Sequence, residues 1–212
     1  VFLKSIIEEH TDTEVLGYLQ ENEKIKIGSR HLGLITAREV SRLEKKMDIL
    51  ADEAERTIDI DRILEIAENA SDLKFKNILS KDLKDKFKGL RVGIAYDMAF
   101  NFYYRDNIDF LNYLGIETEF FSPLKDYRIP KNIDALYIGG GYPELFPVEL
   151  TNNISMRNSI KQFAEKGGYI YAECGGLIYM SEKIKTFDGN EYSMTGVLKG
   201  SCKMGDKLRH FG

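Results

Sequence analysis

The apolar positions of the chain fall into two rhythms. Over roughly the first 70 residues they recur every three or four places, the spacing of helices with one buried face. Apolar residues at 2, 3, 6 and 7 predict a helix over Val1 to Glu9. Val15-Leu16-Gly17-Tyr18-Leu19 reads as a short apolar strand, and Arg30 to Ile35 leads into a long helix. Thr36 is its expected N-cap, with Glu39 at capping-box spacing and apolar positions at 40, 43, 47, 50 and 54. Asp59 is placed to cap a further helix, Asp61 to Asn69, with Ile63, Leu64, Ile66 and Ala67 turned inward.

From about residue 90 the rhythm changes to short apolar runs separated by helical stretches. Strands are predicted over Arg91 to Tyr96, Ile116 to Phe121, Ile133 to Ile138 and Tyr169 to Glu173. Helices are predicted over Asp106 to Leu114, stopped by Gly115, and over Ser155 to Glu165, stopped by Gly167-Gly168. Repeated β-α units call for a parallel sheet with helices on both faces. Ligands of such sheets bind beyond the carboxyl ends of the strands. Three strand ends carry unusual sequence, running through Asp97 to Tyr104, through Gly139 to Glu144, and through Glu173 to Gly176, and all three are expected on one rim.

Composition sharpens the division. The 212 residues are 43% hydrophobic and 30% charged, enough for one or two globular domains with a sizeable core. All four prolines and both cysteines lie beyond residue 120. Ser71 to Gly89, with six lysines, reads as a connector whose charge is a solvated face. The net charge of −4 gives no support to nucleic-acid or anionic-membrane binding. No apolar run approaches the about 18 residues of a membrane span. Cys174 and Cys202 make no disulfide framework, and a reducing cytoplasm is the simplest home. The chain opens Val1-Phe2-Leu3, as a fragment would.

The chemistry concentrates at Cys174. A strand over Tyr169 to Glu173, a sharp turn and a helix from Gly175, with small Ala172 and Gly176 two places either side, are what a nucleophile elbow needs. A helix N-terminus there favours negative charge and presents N–H groups to a developing oxyanion. The plainer alternative is a structural cysteine at an ordinary strand–helix junction. Gly139-Gly140-Gly141 exposes backbone N–H groups and can supply half of an oxyanion hole, with Gly175 supplying the other. The same glycines also suit a plain turn or a phosphate nest. Tyr142 and Glu144 follow that loop and are placed to shape a pocket. The aromatics at 100 to 104 read as core, Cys202 as a small residue buried in a strand, and Asp97 as a cap on the first strand of this half, placed to structure an interdomain face. Acyl transfer through a cysteine thioester is the natural chemistry of the rim.

Four segments, Ala99 to Tyr104, Phe121 to Leu124, Gly139 to Phe146 and Tyr171 to Leu177, together strongly resemble the cobyrinic acid a,c-diamide synthase family. His10-Thr11, Val15 to Leu19 and Arg30 to Leu34 look like the tail of that family's ATP-dependent synthetase domain. The resemblance implies a class I, flavodoxin-like glutamine amidotransferase domain over 90–212, a connector over 71–89, and over 1–70 the C-terminal part of a P-loop synthetase-type α/β domain. It implies that Cys174 attacks the glutamine amide and releases ammonia. The synthetase half then uses ATP and Mg²⁺ to activate the a and c acetates of a cobyrinate-type tetrapyrrole. No prosthetic group and no metal ligand in this chain are implied. Arg30 and His31 are the expected nucleotide contacts, at the edge of the synthetase part.

The resemblance places the phosphate loop before Val1 and the triad histidine after Gly212. No G-x-x-x-x-G-K-[ST] run occurs in the chain, and His210 matches a segment ahead of the catalytic histidine. An internal fragment unable to turn over glutamine is the expectation. Nickel-sirohydrochlorin is the alternative substrate. A cysteine or α/β hydrolase would need a histidine at the rim. A non-catalytic α/β binding module, with Cys174 a relic, is the remaining alternative.

Overall fold

A computed structural model describes residues 2–30, 33–35, 37, 39–74 and 81–205. The chain forms two units, Val1–Lys76 and Asn77–Gly212.

The first unit opens with helix α1, Phe2–His10. Strands β1, Ser29–Arg30, and β2, Gly33–Leu34, pair antiparallel. Helix α2 spans Leu43–Thr57 and α3 spans Ile60–Glu68. Asp59 caps α3 as expected, its carboxylate accepting from the Arg62 N–H at 3.0 Å. Two sequence expectations give way here. The predicted strand over Val15 to Leu19 is a single antiparallel bridge between Gly17 and Ile58: its backbone bonds run to Thr57 and Asp59 at the α2–α3 junction, and Val15 is held by the Lys4 and Glu8 side chains of α1. Thr36 lies outside the described residues, and α2 starts only at Leu43, behind Arg42 at φ 54, a left-handed conformation that interrupts a helix.

The second unit is built on a four-stranded parallel sheet. Its strands are β3, Arg91–Ala95, β4, Glu117–Phe121, β5, Ala135–Ile138, and β6, Tyr169–Ala172. Their spatial order is β4-β3-β5-β6. Helix α4, Arg105–Tyr113, joins β3 to β4, and α6, Ile154–Glu165, joins β5 to β6. Both helices end alike. After α4, Gly115 donates to Asn112 and Ile116 to Leu111; after α6, Gly167 donates to Ala164 and Gly168 to Phe163. This is the Schellman pattern, which satisfies the last carbonyls and returns the chain to the sheet. The short helix α5, Pro147–Asn152, precedes α6, and Asn153 between them caps α6 on the Met156 N–H.

Strand alternation gives the sheet two buried faces. Ile94 and Tyr137 meet Ile108 of α4 on one face. Ala95, Leu136 and Ile138 meet Leu150, Met156 and Ile160 on the other, together with Tyr179 and Met180 of helix α7, Gly175–Met180. A three-stranded sheet follows: β7, Lys183–Lys185, β8, Glu191–Ser193, and β9, Ser201–Lys203, in the order β8-β7-β9. Cys202 lies in β9 and is half-buried. The expected connector contains a single 3-10 turn, Lys81–Leu83, among its described residues.

Candidate functional site

The carboxyl ends of β3, β5 and β6 bring the three unusual segments together. Asp97, 8% exposed, ties the first down. Its carboxylate accepts from the N–H groups of Ala99 and Phe100, from the Ser122 hydroxyl at 2.9 Å and from the Leu124 N–H at 2.9 Å. The β3 and β4 exits are thereby fixed to each other within this unit. The Asn101 and Phe102 N–H groups both donate to the Gly140 carbonyl, at 3.0 and 3.1 Å, so the first segment is laced to the glycine loop.

Tyr103 completes that lacing. Its phenol donates to the Ala95 carbonyl and accepts from the Gly139 N–H at 2.8 Å, a strut between the ends of β3 and β5. Burial pushes this phenol well above the ordinary tyrosine value. The aromatics read from sequence as core divide: Phe100 is fully buried, Tyr103 is the strut, and Tyr104 is 79% exposed.

Cys174 stands exposed at the β6–α7 turn with φ 51 and ψ −117. This conformation costs a non-glycine residue about 1–3 kcal/mol and persists only where the surroundings over-determine it. The neighbouring glycines are packed at backbone distance. A Cβ on Gly140 would lie 3.4 Å from the Cys174 Cβ. One on Gly175 would come within 2.8 Å of the Gly141 carbonyl oxygen, and one on Gly176 within 2.0 Å of the Ile138 carbonyl oxygen. The small residue two places after the cysteine is therefore a steric necessity. Gly175 opens α7, so its N–H has no acceptor four residues back within the helix. The loop Gly139-Gly140-Gly141 and the start of α7 thus share one wall around an exposed sulfur.

Tyr142 and Glu144 lie beneath this wall. Tyr142 is 1% exposed and packs edge-on against Phe102 at 5.2 Å between ring centroids. Glu144, in the 3-10 turn Pro143–Leu145, is 8% exposed. Both are buried, and the Tyr142 N–H donates to the Ala99 carbonyl at 3.0 Å. Arg30 lies in β1 of the other unit, and His31 and His210 lie outside the described residues. Among the described residues the only imidazole is that of His10, in the first unit, and no cluster of three or more His, Cys, Asp or Glu is placed to hold a metal. No helix among them is long and apolar enough to cross a membrane.

Sequence reasoning missed a second feature of the elbow. Glu173 accepts hydrogen bonds from the phenols of Tyr137, at 2.7 Å, and Tyr171, at 3.2 Å. The available signal was period-two alternation, which puts Tyr169, Tyr171 and Glu173 on one face of β6.

Comparison with known proteins agrees with this geometry. Residues 91–211 match the model of the CobB/CobQ-like glutamine amidotransferase domain. A cobyrinate a,c-diamide synthase of Clostridium tetani is 46% identical over 99% of this chain and 46% of its own length. Proteins of the same name from Listeria innocua and Fusobacterium nucleatum are 44% and 42% identical, over 99% and 97% of this chain and 46% and 48% of theirs. The chain therefore spans about half the length of these curated relatives. With more than half of its residues inside the matched model, the chain belongs to the family of CobB/CobQ-like glutamine amidotransferase domains.

Proposed function

We propose that the second unit releases ammonia from glutamine for an ATP-dependent amidation of the a and c acetates of cobyrinate, with Cys174 as nucleophile. The observation that carries the reading is the exposed Cys174 thiol in a strained strand–helix elbow, walled by Gly140, Gly141 and Gly175. The substrate rests on the names of the relatives, and nickel-sirohydrochlorin is the competing tetrapyrrole.

The chemistry follows from the wall. The Cys174 sulfur attacks the side-chain amide carbon of glutamine, and the carbonyl oxygen gains the negative charge. N–H groups of Gly140, Gly141 and Gly175 receive that charge, an arrangement that typically lowers such a barrier by several kcal/mol. Collapse expels ammonia and leaves a γ-glutamyl thioester, which water hydrolyses to glutamate. Tyr142 and Glu144 set the height of the loop from below. The proton of the thiol needs a base, and no described residue of this unit supplies an imidazole.

ATP and Mg²⁺ would serve the amidation step. The sequence has no Walker A run to cradle a nucleotide's phosphates, and the described residues hold no cluster of three or more His, Cys, Asp or Glu for a cation. Arg30 and His31 remain proposed nucleotide contacts only.

Reaction with 6-diazo-5-oxo-norleucine, an electrophilic glutamine mimic, tests the reading. Peptide mapping is expected to place the adduct on Cys174 and to find none in Cys174→Ala. Absence of an adduct, or an adduct on Cys202, would refute it and favour the non-catalytic binding module.

A further inference from the structure

Glu173 stands between the last residue of β6 and Cys174, with its backbone and both carboxylate oxygens engaged. Its N–H donates to the Ile138 carbonyl at 3.1 Å, carrying the β5–β6 pairing one residue past the strand. Its own carbonyl accepts from the Gly176 N–H at 2.8 Å, in the first turn of α7. Oε1 accepts from the Tyr137 phenol and Oε2 from the Tyr171 phenol. These two tyrosines are register partners on adjacent strands, their rings edge to face at 5.2 Å. They also line a groove of about 790 Å³ on the α4 face of the sheet, opposite the α6 packing. Burial pushes the Tyr137 phenol up to about 12, and the charge of Glu173 raises that of Tyr171. Both hydroxyls therefore stay protonated, and remain donors, across the physiological range.

The next residue is the strained one. Cys174 adopts φ 51 with no glycine's freedom to do so. Left unrestrained, the peptide between Glu173 and Cys174 would relax toward an ordinary extended conformation and swing the sulfur away from Gly140 and Gly141. Backbone bonds alone fix the two ends of the turn. The side chain of Glu173 fixes its rotation, because two phenols on different strands hold one carboxylate by both oxygens. We propose that Tyr137 and Tyr171 clamp the Glu173 carboxylate and so hold the Cys174 elbow in its reactive conformation, making Glu173 a positioning residue for attack on glutamine. The proposal rests on the glutamine reading of Cys174, and its test separates the two.

Glu173→Ala, Glu173→Gln, Tyr171→Phe and Tyr137→Phe/Tyr171→Phe are compared with wild type in two measurements. The first is amide exchange at Gly176, read by NMR. The second is the rate of Cys174 labelling by 6-diazo-5-oxo-norleucine relative to iodoacetamide. Releasing the clamp in Glu173→Ala or the double variant is expected to speed Gly176 exchange about tenfold or more. It is also expected to cut labelling by the glutamine mimic roughly ten- to a hundredfold, the scale of a misplaced reacting group. Iodoacetamide, which needs no orientation, should change by less than about twofold on the same argument. Glu173→Gln keeps one acceptor and gains a donor, and is expected to recover most of both. Tyr171→Phe removes an exposed ring's hydroxyl and keeps the test open should Glu173→Ala fail to fold. Unchanged exchange at Gly176, faster exchange spread evenly over the sheet, or equal loss with both reagents would each overturn the clamp. If wild type takes no label from the glutamine mimic, the proposed function falls, and Gly176 exchange still decides the clamp.

Discussion

At Gly176 the elbow has no space for a methyl group. The atoms a Cβ would strike are backbone, the Ile138 carbonyl at 2.0 Å and the Gly139 carbonyl oxygen at 2.9 Å, so relief requires moving β5 itself. Gly176→Ala is expected to destabilise the second unit by about 3 kcal/mol, the upper part of the overpacking range. Urea denaturation checks this, with Gly205→Ala as control, where a Cβ meets nothing within 4 Å and the change should stay within about 0.5 kcal/mol. This residue was legible in the sequence, since a nucleophile elbow demands small neighbours whatever the rest of the fold does. Glu173 was not legible in the same way. Its meaning depends on Tyr137 standing beside Tyr171, and the register that pairs them is a property of the folded sheet.

At the scale of elements, the rim is held by cross-ties. Tyr103→Phe removes both bonds of the β3–β5 strut and is expected to cost about 1–2 kcal/mol. It should also change the alkaline limb of stability. The Tyr103 phenol is raised by burial, and Tyr137 is raised from the ordinary 10 to about 12, also by burial. Between those values the native state keeps protons that the unfolded chain has lost. The stabilisation is intact below about pH 10 and drains away as pH rises toward 12. Thermal melts between about pH 9 and about pH 12 should therefore fall less steeply for Tyr103→Phe and for Tyr137→Phe than for wild type. Equal slopes would contradict the assignment. Asp97→Ala strips four acceptor contacts from the β3 and β4 exits and is expected to cost about 3 kcal/mol by chemical denaturation. The β-α-β run was readable because Gly115 and Gly167 punctuate it and each strand carries its own apolar run. Val15 to Leu19 misled because an apolar run says nothing about whether a partner strand lies beside it. The start of α2 misled because a capping-box spacing at Thr36 and Glu39 has no power to carry a helix past Arg42. Strands β7 and β8, of three residues each, are too short to leave a periodic trace.

For the whole molecule, the resemblance carried by four short segments agrees with the family model matched over residues 91–211. Apolar rhythm alone predicted the parallel sheet, and the glycines and Cys174 marked the rim on which the three segments meet. The second unit presents the exposed Cys174 beside the closely packed backbone of Gly140, Gly141 and Gly175. The central claim, that Cys174 sits in a glutamine site, is tested most directly by the rate at which iodoacetamide alkylates it with and without L-glutamine. The account predicts that L-glutamine slows alkylation of Cys174, that L-asparagine does not, and that Cys202 is indifferent to both. Equal rates at Cys174 in the presence and absence of L-glutamine would contradict it.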